Sequence, residues 1–430
     1  MGAAGVILVG GVFVLFTGID IFPSGEEGKE AGSTALRQRT MEGTLIVWGL
    51  FDAQTNYTDA IEAFTARYPT MTVEYKRFTS ETSYKQELID ALAAGRGPDI
   101  FMIRNTDLGQ YVDKTVPLSL EALPRSTLDS IFPEVVGNDF VREEGIYALP
   151  LTIDTLAFIY NKDHFNQAAI IFPPETWSEL QAIIPDLVQY NEDGSVRRRG
   201  IAIGGSNENV DSGSHLLELL VLQERAVKNQ GFAITSPESE RAMNFYTQFA
   251  APGENRTWEV SRKNSVETFA AGDTAIIFNC HRTLKDIKRK NGILKIGIAP
   301  MLQIENTNIP VAYPHYWGYV VAAQSTVQTP AWDFITRMTT DPDRADAYAI
   351  KANAPPALRV LIDKYKDDPE RGVFARQALI ARSWGKIDGE MIDDAFSRAI
   401  ETVILNGTSI RDALGGVQNA HAQAANRWTQ

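Results

Sequence analysis

An alternation of apolar strands and amphipathic helices between residues 43 and 103 constrains the fold of this chain more than any other feature. Residues 45–48 form a short apolar run that is typical of a strand buried on both faces. One face of the following helix consists of Tyr57, Ile61, Phe64 and Tyr68. Pro69 ends that helix, and residues 72–78 alternate in polarity like a second strand.

A second helix and a third strand extend this pattern. Tyr84, Leu88 and Leu92 recur at every fourth position, and Gly95 is the expected C-terminal cap of their helix. The segment GPDIFMI, residues 97–103, has the composition of a third strand. The order strand, helix, strand, helix, strand predicts a parallel sheet with right-handed crossovers.

Several polar and aromatic residues follow the predicted strands of this sheet. Phe51 and Asp52 come after the first strand, and Asn105 and Asp107 come after the third. Ligands of open α/β sheets bind outside the carboxyl ends of the strands, so we expect all four side chains on one binding rim. The alternatives are a helix N-cap for Asp52 and ordinary loop positions for Asn105 and Asp107.

Composition limits the classes of partner. The 430 residues predict two or three domains, and 44% hydrophobic with 22% charged residues is ordinary for a globular protein. The net charge is −13 without a dense Lys/Arg stripe, so we expect no nucleic-acid partner. Cys280 is the single cysteine, which excludes an internal disulfide and a Cys-based zinc or redox motif. We expect no metal and no cofactor.

The first nineteen residues carry no charged side chain, and a run of roughly 17–25 apolar residues suffices to cross a bilayer. A cleaved signal peptide, a lipoprotein signal and an uncleaved anchor are the alternatives, and Ile19 stands where a lipobox needs cysteine. Lys29 follows the run, against the positive-inside rule. We expect residues 1–22 to be an export signal or membrane anchor and residues 23–42 to be a flexible linker.

Four segments carry a resemblance to a known family. They are ALAAGRGPDI from residue 91, IYNKD with the P-x-TW-x-E helix start between residues 159 and 179, FAAGDTAIIFNCHRTLKDI from residue 269, and residues 330–362. In this order they resemble the extracellular solute-binding proteins of ABC importers, in the maltose-binding-protein class. The resemblance runs from about residue 43 to the end of the chain.

This resemblance implies an α/β, two-lobe periplasmic-binding-protein fold (type II-like), with each lobe a mainly parallel sheet flanked by helices. It implies a hinge and an interlobe cleft that closes on the ligand. The expected first lobe comprises residues 43–152 and 301–350, and the expected second lobe comprises residues 153–300 and 351–430.

The resemblance also implies which acids line the cleft. Asp154 matches the acidic cleft position of the class, and Asp52 matches the acid after the first strand. Carboxylates accept hydrogen bonds from sugar hydroxyls. The alternative for Asp154 is an acid near the hinge that is bonded to backbone groups.

Two positions depart from the maltose-binding pattern. Ala53 replaces a lysine, and Arg282 aligns with a stacking tryptophan. Arg282 is expected to contact a hydroxyl or to clamp a carboxylate or phosphate, and the alternative is a helical ion pair with Asp286. The neighbouring His281 is a further ligand candidate, against a purely structural role.

Aromatic side chains complete the expected site. Tyr316 and Trp317 precede a predicted strand at residues 320–322, and Trp384 lies in a loop region that reaches the cleft in the resembled family. Aromatic faces stack on the C–H-rich surfaces of sugar rings. Packing between the lobes is the alternative for Trp317.

We therefore expect the solute-binding subunit of an ABC importer, with ABC permease subunits as partners and a carbohydrate as ligand. An anionic solute, a glycerophosphodiester or a polyamine is the alternative ligand, and a tethered sensor, an adhesion protein or a surface carbohydrate-active enzyme is the alternative function. HExxH, Walker, G-x-S-x-G and post-strand GxGxxG motifs are all missing from the sequence, so we expect no enzyme. The protein is expected to be a monomer, exported to the periplasm or cell surface and tethered to the membrane by residues 1–22.

Overall fold

The computed structural model describes residues 42–253, 255–259 and 263–428. The predicted export signal or anchor and nearly all of the predicted linker lie outside these residues. Within the described ranges, no helix combines the length and the apolarity that a membrane span requires.

The strands are β1 (Gly43–Leu50), β2 (Met71–Phe78), β3 (Ile100–Arg104), β4 (Thr115–Val116), β5 (Val141–Arg142), β6 (Gly145–Ile146), β7 (Asp154–Thr155), β8 (Ala157–Asn161), β9 (Gln189–Tyr190), β10 (Val196–Ile201), β11 (Thr274–Asn279), β12 (Ile296–Ala299), β13 (Pro314–His315) and β14 (Trp317–Ala322).

The helices are α1 (Thr58–Arg67), α2 (Glu81–Ala93), α3 (Leu108–Tyr111), α4 (Arg125–Ile131), α5 (Glu134–Phe140), α6 (Lys162–Gln167), α7 (Trp177–Leu187), α8 (Gly213–Ala226), α9 (Pro237–Thr247), α10 (Ser265–Ala271), α11 (His281–Lys290), α12 (Gln328–Thr340), α13 (Pro342–Ala352), α14 (Arg359–Tyr365), α15 (Gly372–Gln377), α16 (Gly389–Asn406) and α17 (Ile410–Trp428).

The first sheet has the order β2-β1-β3-β14-β4. β1 pairs in parallel with both β2 and β3, which confirms the strand and helix alternation predicted for residues 43–103. β14 is antiparallel to both of its neighbours, so it runs against the other four strands. Gly95 has φ of 65° directly after α2 and its C-cap, where its lack of a side chain permits the left-handed conformation.

The second sheet has the order β12-β8-β11-β10-β9. β10 and β11 are parallel, whereas β8 is antiparallel to both β11 and β12. β10, β11 and β12 therefore run in one direction, with β8 and β9 opposed. Each sheet is flanked by helices that bury their apolar faces on it, which is the layered arrangement of α/β lobes.

Each sheet lies in its own hydrophobic core. The first core draws on residues between 45 and 153 and between 316 and 381. The second core draws on residues between 156 and 313 and between 392 and 417, together with Phe374. The chain therefore forms two lobes and crosses between them more than once.

Two of the crossings pair with each other. β7 and β13 form a two-stranded antiparallel sheet, in which Asp154 is opposite His315 and Thr155 is opposite Pro314. On both strands the chain leaves one core and enters the other within a few residues. This strand pair is the structural hinge between the lobes.

The cores divide the chain differently from the sequence-based lobes in two places. Met301 and Val311 pack in the second core, because the chain does not cross back until β13. Leu358 and Ile362 pack in the first core, although the sequence-based division placed them in the second lobe.

One local prediction needs correction. Trp317 is the first residue of β14 and not a residue before that strand. α7 ends at Leu187, with Pro185 in its last turn, and residues 189–190 form β9. Pro185 lacks an N–H donor, so a helix ends readily close to it.

Candidate functional site

A cavity of about 480 Å³ lies between the two lobes. The first lobe lines it with the residues after β1, the start of β14, and α13 with the loop that follows. The second lobe contributes the cavity-facing side of α11, Glu370 lines the cavity from the segment between α14 and α15, and the hinge contributes Asp154 and His315. The predicted site residues that line this cavity are Phe51, Asp52, Asp154, His281, Arg282, Tyr316 and Trp317.

Phe51 and Asp52 reach the cavity because β1 ends there. Phe51 has φ of 70°, an uncommon backbone conformation for a residue with a bulky side chain. Its carbonyl oxygen accepts hydrogen bonds from Arg77 Nε (3.0 Å) and Nη2 (2.7 Å), which hold the turn in place. Asp52 accepts from Tyr348 Oη (2.5 Å) and Asn56 Nδ2 (3.3 Å), and burial raises the pKa of its carboxyl.

Trp317 forms an aromatic wall of the cavity. Its ring meets Phe51 and Tyr84 edge to face, at centroid distances of 6.5 and 6.3 Å. The residue is 9% exposed, and its Nε1 has no hydrogen-bond partner among the residues that the structure describes. A buried indole N–H normally finds an acceptor.

Asp154 connects the hinge to α11. Its Oδ1 accepts from the backbone N–H groups of Thr155 and His281 (both 2.9 Å), and its Oδ2 accepts from the N–H of Arg282 (3.1 Å). The carboxylate thus caps a helix whose own N-cap residue, Cys280, makes no side-chain capping bond. Burial raises the pKa of Asp154 against these bonds. The backbone-bonded alternative for Asp154 is the arrangement that the structure contains.

Arg282 extends from the second lobe to the first. Its guanidinium carbon lies 4.1 Å from the centroid of the Phe51 ring, within cation–π distance. Lys285 and Lys288 follow on the same side of α11 and line the cavity as well. The helical pair expected as the alternative is not the one formed, because Asp286 lies 2.9 Å from Arg289.

Two histidines line the cavity near the hinge. His281 is buried, its Nε2 lies 3.7 Å from Glu370 Oε1, and burial lowers its pKa. Burial, together with the nearby His215, also lowers the pKa of His315 well below its usual value. The physical cause is that desolvation disfavours the charged imidazolium.

Tyr316 lines the cavity, and its hydroxyl group meets Asn105 at a buried carboxylate. Tyr316 Oη donates to Asp139 Oδ2 (2.7 Å), and Asn105 Nδ2 donates to the same oxygen (3.1 Å). Ser383 also donates to this carboxylate, whose pKa burial raises to about 6. Asn105 does not line the cavity, because its side chain is used in this buried cluster.

Asp107 and Trp384 are also placed away from the cavity. Asp107 is buried in ion pairs with Arg104 and Lys85, both at 3.3 Å. Trp384 stacks on Phe232 with a centroid distance of 4.1 Å, among residues that pack on the second core. Both side chains are engaged in contacts that hold the lobes, which the sequence-based expectation of ligand contact did not anticipate.

A second cavity of about 330 Å³ adjoins the first, and Arg282 and His315 line both. Five acidic residues line it: Glu81, Asp211, Glu390, Asp393 and Asp394. Within the described ranges, no group of three or more His, Cys, Asp or Glu side chains is placed to hold a metal ion.

Sequence reasoning missed several lining residues. Lys285 and Lys288 follow Arg282 at i+3 and i+6, so helical spacing could have identified them. Tyr319 lies two residues after Trp317 and faces the same side of β14. No local pattern identifies Tyr348, which reaches Asp52 from α13.

Two α/β lobes, a paired-strand hinge and a cavity between the lobes define a two-lobe binding protein. The model of the family described as bacterial extracellular solute-binding protein matches residues 59–373. That match covers most of the chain, and the chain therefore belongs to this family.

Individual relatives are distant in sequence. The maltotriose-binding protein of Pyrococcus abyssi (strain GE5 / Orsay) is 21% identical over 385 residues, which cover 84% of this chain and 80% of that protein. An ABC substrate-binding protein from Listeria monocytogenes in complex with cycloalternan has a TM-score of 0.70 at 17% identity, covering 90% of this chain and all of that one. UgpB from Mycobacterium tuberculosis in complex with glycerophosphocholine has a TM-score of 0.71 at 18% identity, covering 91% of this chain and all of that one. The two structures share the two-lobe fold.

Proposed function

We propose that this solute-binding protein serves an ABC importer and that its ligand is a mono- or oligosaccharide bound in the interlobe cavity. The observation that carries the proposal is the combination of Trp317 and Phe51 with the carboxylate of Asp52 in a cavity that both lobes line. Aromatic faces bind sugar rings, and carboxylates accept their hydroxyl hydrogens. Two relatives are named for the carbohydrates maltotriose and cycloalternan, which supports a carbohydrate as the ligand class here.

The proposed cycle uses the hinge. Because β7 and β13 are the paired crossings, rotation there would separate Arg282 from Phe51 and open the cavity to solvent. Ligand that contacts both lobes would favour the closed state by its differential affinity. The closed protein would then deliver the solute to permease subunits, whose ATPases supply the energy.

The proposal includes no catalytic step for this protein. Asp52, Asp154 and Glu370 are the acids of the cavity, but the oxygens of Asp154 accept three backbone hydrogen bonds and Glu370 is paired with Lys288. A glycosidase needs one carboxyl group free to protonate the leaving group and a second free to act as base or nucleophile. Export to the outer face of the membrane and tethering by residues 1–22 belong to the same proposal.

A thermal-shift screen of the full-length protein tests this function. The panel contains maltotriose, other neutral saccharides, polyamines and amino acids, in a detergent without a sugar headgroup. A saccharide that binds the folded state stabilises it by about 2.7 kcal/mol at 100 times its Kd, so its melting point should rise saturably. Recovery of the sugar intact would support binding without catalysis, and its consumption would support the enzyme alternative. A response confined to polyamines or amino acids would contradict the carbohydrate assignment.

A further inference from the structure

We propose that the ligand of the interlobe cavity carries an anionic group, a carboxylate or a phosphate, which binds Arg282 and Lys285. The inference rests on the proposed function and narrows its ligand to acidic or phosphorylated sugars. It follows from the balance of charge among the side chains that line the cavity.

Two of the four cationic side chains in the lining are already neutralised. Lys288 forms an ion pair with Glu370, and Lys351 Nζ lies 3.1 Å from Asp59 Oδ2. Glu370 also accepts from Asn353 and lies near His281, so its charge is shared among several donors. These groups contribute little net charge to the cavity.

The other two cations form no direct ion pair within the described residues. Across the described residues, the side chains of Arg282 and Lys285 have neither an ion pair nor a hydrogen bond, and Arg282 contacts the ring of Phe51. They are separated by one helical turn on the cavity side of α11, so both can contact one ligand group. An anion that bridges them would supply the missing counter-charge.

The remaining acids of the lining have other partners. Asp154 accepts hydrogen bonds from three backbone N–H groups. Asp52 accepts from Tyr348 and Asn56, and burial raises its pKa although the charge of Lys285 acts in the opposite direction. Neither acid forms an ion pair with the side chain of Arg282 or Lys285, so a ligand anion can take that place.

A buried donor points to the same chemistry. Trp317 lines the cavity and is nine-tenths buried, yet its Nε1 lacks an acceptor anywhere in the described part of the chain. With Arg282 and Lys285, three side chains of one cavity have unused donors. An acceptor-rich ligand group fits these donors better than a hydroxyl, which must also donate.

The position of Arg282 favours a planar or tetrahedral oxyanion. Stacking on Phe51 restricts the guanidinium, whose fork of N–H donors binds carboxylate or phosphate through two parallel bonds. Asp154 already occupies the N-terminus of α11, so side chains would bind the anion and the helix dipole would not. The adjoining cavity carries Asp211 and Asp394, which would repel the anion toward the first cavity.

Calorimetry with matched ligand pairs tests the proposal on the full-length protein. The pairs are glucose 6-phosphate with glucose, and galacturonic acid with galactose, with inorganic phosphate as a generic probe. We expect the anionic member of one pair to bind at least tenfold more tightly, and the pair that responds distinguishes phosphate from carboxylate. Raising the salt concentration should weaken that binding, because partly exposed charges are screened.

Variants on one helix provide the control. Arg282→Gln should remove the tenfold preference, and Lys285→Gln should reduce it. Arg289→Gln removes the same charge from α11 at a position outside the cavity lining and should leave the preference unchanged. Arg282 is exposed, so its replacement is expected to preserve folding, and the melting point without ligand verifies this.

The outcomes separate this inference from the proposed function. If a neutral sugar binds as tightly as its anionic partner and Arg282→Gln has no effect, the anionic ligand is excluded and the carbohydrate-binding function stands. Arg282-dependent binding of inorganic phosphate without a response to any sugar would keep the anion site and remove the carbohydrate. If none of these probes binds and no saccharide of the thermal-shift panel raises the melting point, both proposals are overturned.

Discussion

Arg104 Nη1 at the end of β3 lies 2.8 Å from Asp393 Oδ2 in α16, so a buried ion pair joins the first lobe to the second. Lys386, which is completely buried, also bonds Asp393 and lies 2.8 Å from Glu218. Burial by itself would raise the pKa of Asp393, but the charges of Lys386 and Arg104 outweigh it and hold that pKa well below the usual range. The network links the two lobes through buried charges of opposite sign that compensate one another.

Replacing Asp393 with Asn should destabilise the protein strongly. Arg104 and Lys386 would keep their charges in a buried site without full compensation, which typically costs about 3–5 kcal/mol. Urea denaturation measures the change in the free energy of unfolding. Because the folded-state pKa is depressed, the stabilisation by Asp393 is present above its unfolded pKa and is lost as the pH falls toward the folded value.

Asp129→Asn is the matched control for this experiment. Asp129 pairs with Arg125 at 2.8 Å on the surface, where side chains are largely solvated. An exposed pair of this kind contributes at most about 1 kcal/mol. If the two replacements lowered the free energy of unfolding equally, the buried ion pairs of Asp393 would not be a major source of stability.

Asp139 should make stability depend on pH between about 4 and 6. Its pKa is about 6 in the folded protein, raised by burial from an ordinary value of 3.8. A raised pKa means that the stabilisation by the protonated group is present below pH 4 and is lost as the pH rises through 6, by about 3 kcal/mol. Denaturation of Asp139→Asn across this window should show a correspondingly smaller loss of stability with rising pH.

The control removes an exposed carboxylate instead. Asp367 has a side chain that is 87% exposed, so Asp367→Asn should leave the pH profile of the wild type unchanged. An identical profile for Asp139→Asn and wild type would contradict the assignment.

Trp317→Phe should weaken binding of a saccharide identified by the thermal-shift screen. The replacement keeps an aromatic ring in the first core but reduces the stacking face and removes Nε1. We expect at least a tenfold increase in Kd, equivalent to about 1.4 kcal/mol, measured by calorimetry. Trp384→Phe is the control, because Trp384 packs on Phe232 outside the cavity lining and should leave the affinity unchanged.

Asp154→Ala should lower the free energy of unfolding by about 1–2 kcal/mol, because loss of a helix cap costs this amount. Asp154→Asn retains an acceptor for α11 and should keep both most of the stability and the binding affinity. Denaturation and calorimetry on the same two variants measure the effects. If Asp154→Asn remained fully stable but lost the ligand, Asp154 would instead be a direct ligand contact.

Periodicity was sufficient to predict much of the first lobe. The apolar run at residues 45–48 and the helical face at Phe64 identified β1 and α1. Such elements can be recognised because the side chains that a strand or helix buries recur at a fixed spacing in the sequence. The end of β1 then placed Phe51 and Asp52 at the cavity. Trp317 was recognised as an aromatic candidate, although its place inside β14 was not.

Other expectations depended on partners distant in sequence. Asn105, Asp107 and Trp384 have the chemistry of ligand contacts, yet the structure places Asp139, Arg104 and Phe232 against them. A side chain's type indicates what it can bind, whereas its neighbours decide what it does bind. The sequence carried no signal for those neighbours.

The sequence by itself determined the strand and helix order of the first lobe, the family and the rim on which Asp52 lies. Tertiary structure decided that Arg282 stacks on Phe51, that Asp154 caps α11 and that Lys285 lines the cavity between the lobes. The physical reason is that a strand or helix that buries one face has apolar residues at regular spacing along the sequence, and this spacing can be read directly. Charge compensation is settled between residues that meet only when the two lobes are folded together.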